Sequence, residues 1–173
     1  MSGPDPFLYV VEELTRAGVR FVLIGVAGAN HYALSASTIF TTEDYDLFVP
    51  ADADNSLLAW RVCESLGFEL WCGDEPLDRP RDVFIAEQIV ARRALVRVEG
   101  EGLLADLTMV MAGFDFDPVW RERRTFKIGD VEVPVARLGQ IVASKAAAGR
   151  PKDRLFLATH EESLRELLEA EED

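Results

Sequence analysis

The sequence predicts an α+β fold, and three observations carry the prediction. Short apolar runs rich in β-branched residues mark strands, and some of these runs are joined in pairs by glycine-bearing turns, as in hairpins. Apolar residues also recur at helical spacing near both ends of the chain. With 173 residues, 49% of them hydrophobic, the length suits one domain with its own buried core. The expected organisation is a single unit over 1–173, with an α/β core over 1–135 and C-terminal helices over 136–173.

Taken in order, Phe7, Leu8, Val10, Val11 and Leu14 follow Pro4-Asp5-Pro6 at helical spacing, and Gly18 is placed to stop that helix. Val19 to Gly25 reads as a strand buried on both faces and ended by Gly25, and Ala27 to Leu34 as a helix. Ser35 to Thr42 forms a polar connection into a strand over Tyr45 to Val49, which Pro50 closes. Asp52 and Asp54 are expected to cap a helix marked by Leu57, Leu58, Val62 and Leu66, and Phe68 to Cys72 reads as a strand. Residues 73–93 read as a loop followed by a short helix or strand over Val83 to Val90. Ala94 to Val98 and Leu103 to Val110 then pair as a hairpin about Glu99-Gly100-Glu101-Gly102, and Phe126 to Ile128 with Val131 to Val135 as another about Gly129-Asp130. From Ala136 the chain is expected to be helical to its end, interrupted at Gly149-Arg150-Pro151-Lys152-Asp153.

The charge balance limits the partners. With 31 acidic against 18 basic residues the formal net charge is −13, which opposes a broad grip on a phosphate backbone. No extended nucleic-acid binding is expected. The candidate basic patches are Arg92, Arg93 and Arg97, and Arg121, Arg123, Arg124 and Lys127, the latter reading as a solvated hairpin flank. Cys63 and Cys72 lack metal-ligand or disulfide spacing and are expected to be reduced thiols. No basic, apolar leader pattern opens the chain, and no run approaches the roughly 20 apolar residues of a membrane span, so a soluble cytoplasmic protein without a membrane partner is expected.

The chemistry centres on Thr41-Thr42-Glu43-Asp44-Tyr45-Asp46-Leu47-Phe48-Val49. Strand alternation puts Asp44 and Asp46 on one face and Tyr45, Leu47 and Val49 on the other. Two carboxylates so placed repel unless a proton or cation intervenes, and a hard divalent ion such as magnesium is the usual remedy. The alternative is an edge strand with two solvated acids. Asp106 interrupts the apolar run Leu103-Leu104-Ala105-Asp106-Leu107, where a lone charge is costly unless paired, exposed on an open sheet face or metal-bound. If its strand lies beside that of Asp44, three acids converge. Asp115 and Asp117 read as loop and cap residues, His31 as structural or surface, and His160 as a solvated helix residue.

The segments Ile24-Gly25-Val26-Ala27-Gly28-Ala29-Asn30-His31, Thr42-Glu43-Asp44-Tyr45-Asp46 and Ala105-Asp106-Leu107, in this order, resemble nucleotidyltransferases of the DNA polymerase beta superfamily. The helix carrying Lys145, followed by Arg150-Pro151-Lys152-Asp153, is similar to the small bacterial branch linked to abortive-infection toxins. The resemblance covers roughly residues 20–50 and 100–160 and is made of motifs that are moderately specific only together. It implies a mixed β-sheet with helices packed on one face, and two magnesium ions serving an NTP donor.

By the same resemblance Asp44, Asp46 and Asp106 would be the catalytic metal ligands. Gly25, Val26, Thr42, Lys145, Arg150, Lys152 and Asp153 would belong to the nucleotide-binding set, Gly25 by letting the phosphates approach the backbone and Lys145 by reaching the triphosphate. Asp153 has a structural alternative as a helix cap or as the partner of Arg150 or Lys152. The pattern departs at Val26, where the family has a second small residue, and at Phe40, where many relatives carry an arginine. Two functions follow as expectations. One is transfer of a nucleoside monophosphate to an acceptor hydroxyl on an RNA end, a protein or a small molecule. The other is a nucleotide-sensing or protein-binding module with impaired catalysis, with a toxin or antitoxin as the protein partner.

Overall fold

A computed structural model of the chain describes residues 5–34, 40, 42 and 44–172. Asp5 accepts a hydrogen bond from the Phe7 amide at 2.9 Å and, with Pro6 in the first turn, starts helix α1 (Pro6–Arg16), which buries Phe7, Val10, Val11 and Leu14. Strand β1 (Val22–Ile24) is shorter than the apolar run suggests, although Val19 and Phe21 are also buried. Gly25 does not merely end the strand; it is the first residue of α2 (Gly25–Ala33). Strand β2 (Tyr45–Phe48) follows, and Asp52 caps α3 (Ala53–Ser65) by accepting from the Asn55 amide at 2.9 Å, with Asp54 in the first turn. The expected connection over Ser35 to Thr42 lies outside the described residues except at Phe40 and Thr42.

Residues 73–93 gain definition. After β3 (Glu69–Cys72) comes a short edge strand, β4 (Glu75–Pro76), and then helix α4 (Val83–Arg92), whose N-terminus Asp82 caps through the Ile85 amide at 3.2 Å. Strands β5 (Val96–Gly100) and β6 (Leu103–Thr108) form the first hairpin, and β7 (Arg124–Ile128) and β8 (Val131–Val135) the second, on either side of α5 (Phe116–Glu122). The last segment holds α6 (Leu138–Ala148), α7 (Pro151–Thr159) and α8 (Glu161–Glu172), so it breaks at His160 as well as after Ala148. Leu138, Ile141, Leu164 and Leu167 from these helices join the same apolar core as β1, β2 and β6.

The strands form one mixed sheet in the order β4-β3-β5-β6-β2-β1-β8-β7. At its centre β2 runs antiparallel to β1 and parallel to β6, pairing Ile24 with Asp46 and Asp46 with Asp106. The helices are not confined to one face, as the resemblance implied. Phe7 of α1 stacks on Tyr45 at 3.9 Å, whereas Phe116 of α5 meets Phe48 edge-on at 5.3 Å, and successive residue alternation puts Tyr45 and Phe48 on opposite sides of β2. No helix among the described residues is long and apolar enough to cross a membrane.

Candidate functional site

The carboxylates meet because of strand register. Parallel pairing of β2 with β6 sets Asp46 directly opposite Asp106, and antiparallel pairing of β5 with β6 sets Arg97 opposite Asp106 on its other side. Residues opposite one another share a face, so Asp46, Asp106 and Arg97 form one row across the sheet. The Arg97 fork grips Asp106 at both oxygens, Nε to Oδ1 at 2.8 Å and Nη2 to Oδ2 at 3.2 Å. This hydrogen bonding, reinforced by the Asp106 charge, holds the guanidinium above the usual arginine range.

Asp46 is in a different position. Burial pushes its carboxyl up, the Asp106 charge adds to this, Lys145 and Lys152 oppose it, and Asp44 contributes a further rise. Gly25 makes room for that carboxylate: its φ is +71°, and a Cβ there would stand 2.7 Å from Asp46 Oδ2. Among the described residues, the α2 N-terminus beside it has no side-chain cap hydrogen bond.

Acids and cations line one cleft of about 440 Å³. Gly25, Asp44, Asp46 and Asp106 contribute to it, as do Lys145, Arg150 and Lys152. Two of these cations are held by Asp153, whose side chain is 1% exposed. That carboxylate accepts from the Arg150 amide at 3.3 Å, from Arg150 Nε at 2.7 Å and Nη2 at 3.2 Å, and pairs with Lys145 Nζ at 3.5 Å. Burial alone would raise its pKa, but the Arg150 hydrogen bond and the Lys145 and Arg150 charges together outweigh it and leave the carboxyl below the usual range. Lys145 is lowered by burial against the pull of Asp153 and Asp46, and its Nζ sits 5.0 Å from the Phe156 ring centroid.

Some expected site residues stand aside. Asp153 does not line the cleft; it holds the cations that do, pairing with Arg150 and Lys145 rather than Lys152. Val26 is also absent from the lining and packs half-buried against the core. Thr42 is exposed and acts at one remove: its hydroxyl accepts from the Asp44 amide at 3.3 Å and donates to the Asp44 carbonyl at 3.1 Å, fixing the chain just before β2.

Phe40 has a structural role. It is 1% exposed, and Asn30 ties its backbone at both ends, at 2.7 Å to the amide and 2.6 Å from the carbonyl. Its ring meets Phe156 at 5.3 Å and His160 at 4.8 Å. His160 is therefore no solvated helix residue: it is half-buried at the α7 C-terminus, wedged into an aromatic cluster. His31 is structural, with Nδ1 buried without a hydrogen bond among the described residues, its ring near Phe126, and its pKa lowered by burial.

Arg97, grouped in the sequence with Arg92 and Arg93 as a candidate basic patch, instead lines the cleft and pairs with Asp106. The signal was present in the hairpin: counting outward from Gly100 opposite Leu103 brings Arg97 to Asp106.

The donor set suits a hard cation, because burial first, and then the charges of Asp106 and Asp44, push Asp46 toward protonation, and a bound cation would offset those charges. Asp106 already faces the positive charge of Arg97. As the side chains stand, no group of three or more His, Cys, Asp or Glu among the described residues is arranged to hold a metal ion. Compared with known proteins, the chain matches no family model, and no curated protein matches it significantly.

Proposed function

We propose that this chain is a magnesium-dependent nucleotidyltransferase, moving a nucleoside monophosphate from an NTP to an acceptor hydroxyl on an RNA end, a protein or a small molecule in the cytoplasm. The observation that supports this reading best is the convergence of Gly25, Asp44, Asp46, Asp106, Lys145, Arg150 and Lys152, far apart in the chain, on one cleft. Asp44 and Asp46 would hold one ion, and Asp106 would share the second. When bound, such ions neutralise charge on the triphosphate and lower the pKa of the acceptor hydroxyl.

The chain's own residues do the positioning. Gly25 keeps the backbone bare where α2 would offer its N-terminal amides to a phosphate. Lys145, Arg150 and Lys152 supply positive charge in the cleft, and Asp153 keeps Lys145 and Arg150 oriented. Carboxylates and cations lining one cleft suit a metal-bound polyanion better than an uncharged ligand.

The Arg97–Asp106 pair favours a second reading, in which the same fold binds nucleotide or a protein partner without transfer. Two measurements together separate them. Magnesium with an NTP should raise the Tm of the wild type through binding to the native state, and Asp44→Asn or Asp46→Asn should abolish the rise. Equal shifts in wild type and Asp44→Asn would sink the assignment of the site. Labelled NTP incubated with cell extract then distinguishes transfer, which leaves label on a product, from binding alone.

A further inference from the structure

Two buried carboxylates in and behind the cleft are neutralised by arginine, and the two pairs are built differently. Asp153 is 1% exposed, and besides two cations it accepts from the Arg150 amide, so its partners cannot leave without stranding a charge. Asp106 accepts its side-chain hydrogen bonds from Arg97, and its own side chain is 12% exposed. The Arg97 side chain is 38% exposed and faces the cleft, so its guanidinium can withdraw into water. Such a pair is stable yet exchangeable: the carboxylate always needs a cation, but nothing fixes which one.

On the far side of Asp106 stands Asp46, in register and repelled by it. A divalent ion entering between Asp46 and Asp106 would offset that repulsion and meet the guanidinium as a competitor for the same oxygens. From these observations we propose that Arg97 is the resident counter-ion of Asp106 and weakens divalent-cation binding to the cleft by competing for that carboxylate. The proposal rests on the reading of the cleft as a metal-dependent nucleotide site. It adds a consequence of its own: an anionic group that takes up the guanidinium releases Asp106 to the ion, so anion and cation binding reinforce one another.

The test is a titration of the full chain with Mn²⁺ alone, followed by the loss of free-ion electron paramagnetic resonance signal. Arg97→Gln should bind Mn²⁺ about tenfold more tightly than the wild type, and Arg97→Lys, which keeps the charge but loses the fork, should fall between them. The gain should vanish in an Asp106→Asn background, since the competition acts through that side chain. Lys152→Gln removes another cleft cation and should give a smaller gain that persists in that background. If Arg97→Gln gains no more than Lys152→Gln, or gains equally without Asp106, the competition is refuted and only general electrostatics remains. Wild-type binding that Asp46→Asn removes but Arg97→Gln leaves unchanged overturns the proposal while the metal site survives. Absence of Mn²⁺ binding in both the wild type and Arg97→Gln overturns the proposal together with the reading beneath it. If Arg97→Gln fails to fold by circular dichroism, Arg97→Lys carries the same comparison.

Discussion

At Gly25 two demands fall on a single Cα. The backbone needs φ +71°, which L side chains adopt at a cost, and the space where a Cβ would stand belongs to Asp46 Oδ2, 2.7 Å away. Gly129, in the turn between β7 and β8, shares the first demand with φ +61° but has open space around it. Comparing the pair separates strain from collision. Gly129→Ala should cost about 1 kcal/mol, the price of the backbone conformation. Gly25→Ala should cost about 2–3 kcal/mol, because the Asp46 carboxylate must also move, and it should lose the Tm rise given by magnesium and NTP. Urea unfolding of both variants measures the difference; equal losses would mean that Asp46 has room to give way. At this scale the sequence was informative about direction and silent about contact. Alternation along β2 gives Asp44 and Asp46 a common face, but the pressure of Asp46 on Gly25 depends on β1 and β2 being neighbours, which residue order alone does not state.

At the scale of elements, the junction of α6 and α7 decides how the cleft's cations are held. Gly149 ends α6 in a left-handed conformation, Pro151 starts α7, and Asp153 in the first turn reaches back to the Arg150 amide. The same carboxylate holds Lys145 from the preceding helix, so one side chain fixes the angle between two helices and the place of two cations. Asp153→Asn should destabilise the protein by about 2–3 kcal/mol at neutral pH, since it leaves a buried ammonium without its counter-charge. The pH dependence has a definite sign. A carboxyl whose folded pKa lies below its unfolded value stabilises fully above the unfolded pKa of about 3.9, and that stabilisation is lost as pH falls through the folded value. The stability gap between wild type and Asp153→Asn, read from urea unfolding, should therefore be widest above about pH 5 and close on acidification below about pH 4. A gap that stays constant down to that pH would show that the ion pairs contribute nothing and that only packing was lost. Hairpins and caps were the elements most legible beforehand, because turn glycines and capping aspartates act over a few residues. α4 was not: it buries Ala86 and Ile89 but leaves Phe84 62% exposed, which blurs the apolar periodicity. α5 is a short helix that starts inside Phe114-Asp115-Phe116-Asp117-Pro118, where the aspartates read as loop and cap residues without an apolar periodicity to mark the helix after them.

Over the whole molecule, the net charge of −13 sets what can reach the cleft. The arginines that looked available for a phosphate backbone are partly committed elsewhere. Arg97 is on Asp106, the Arg123 guanidinium lies 3.6 Å from the Trp120 ring centroid, and that of Arg124 lies 4.9 Å from the Phe126 centroid. Arg137, outside those patches, pairs with Glu171 at 3.5 Å and donates to the Glu122 carbonyl at 2.6 Å. Among the described residues, what is left of the candidate patches, Arg92, Arg93, Arg121 and Lys127, does not follow one strand of the sheet, since these residues belong to α4 and its C-cap, α5 and β7. The cleft cations act over a Debye length of about 8 Å at physiological salt, enough for a triphosphate held against them but not for a long polyanion crossing an acidic surface. A short duplex RNA should therefore not be retained at about 0.15 M salt, while stabilisation by magnesium and NTP persists there with only modest weakening. Filter binding and thermal unfolding in the same buffer provide the comparison. If the duplex binds at that salt and Arg121→Glu with Lys127→Glu releases it, the chain carries a basic strip despite its charge, and an extended nucleic acid becomes the acceptor to pursue. If neither the duplex nor the nucleotide is held, the cleft's positive charge is fully spent on Asp153 and the cleft's own acids, and the protein's partner must be sought outside it.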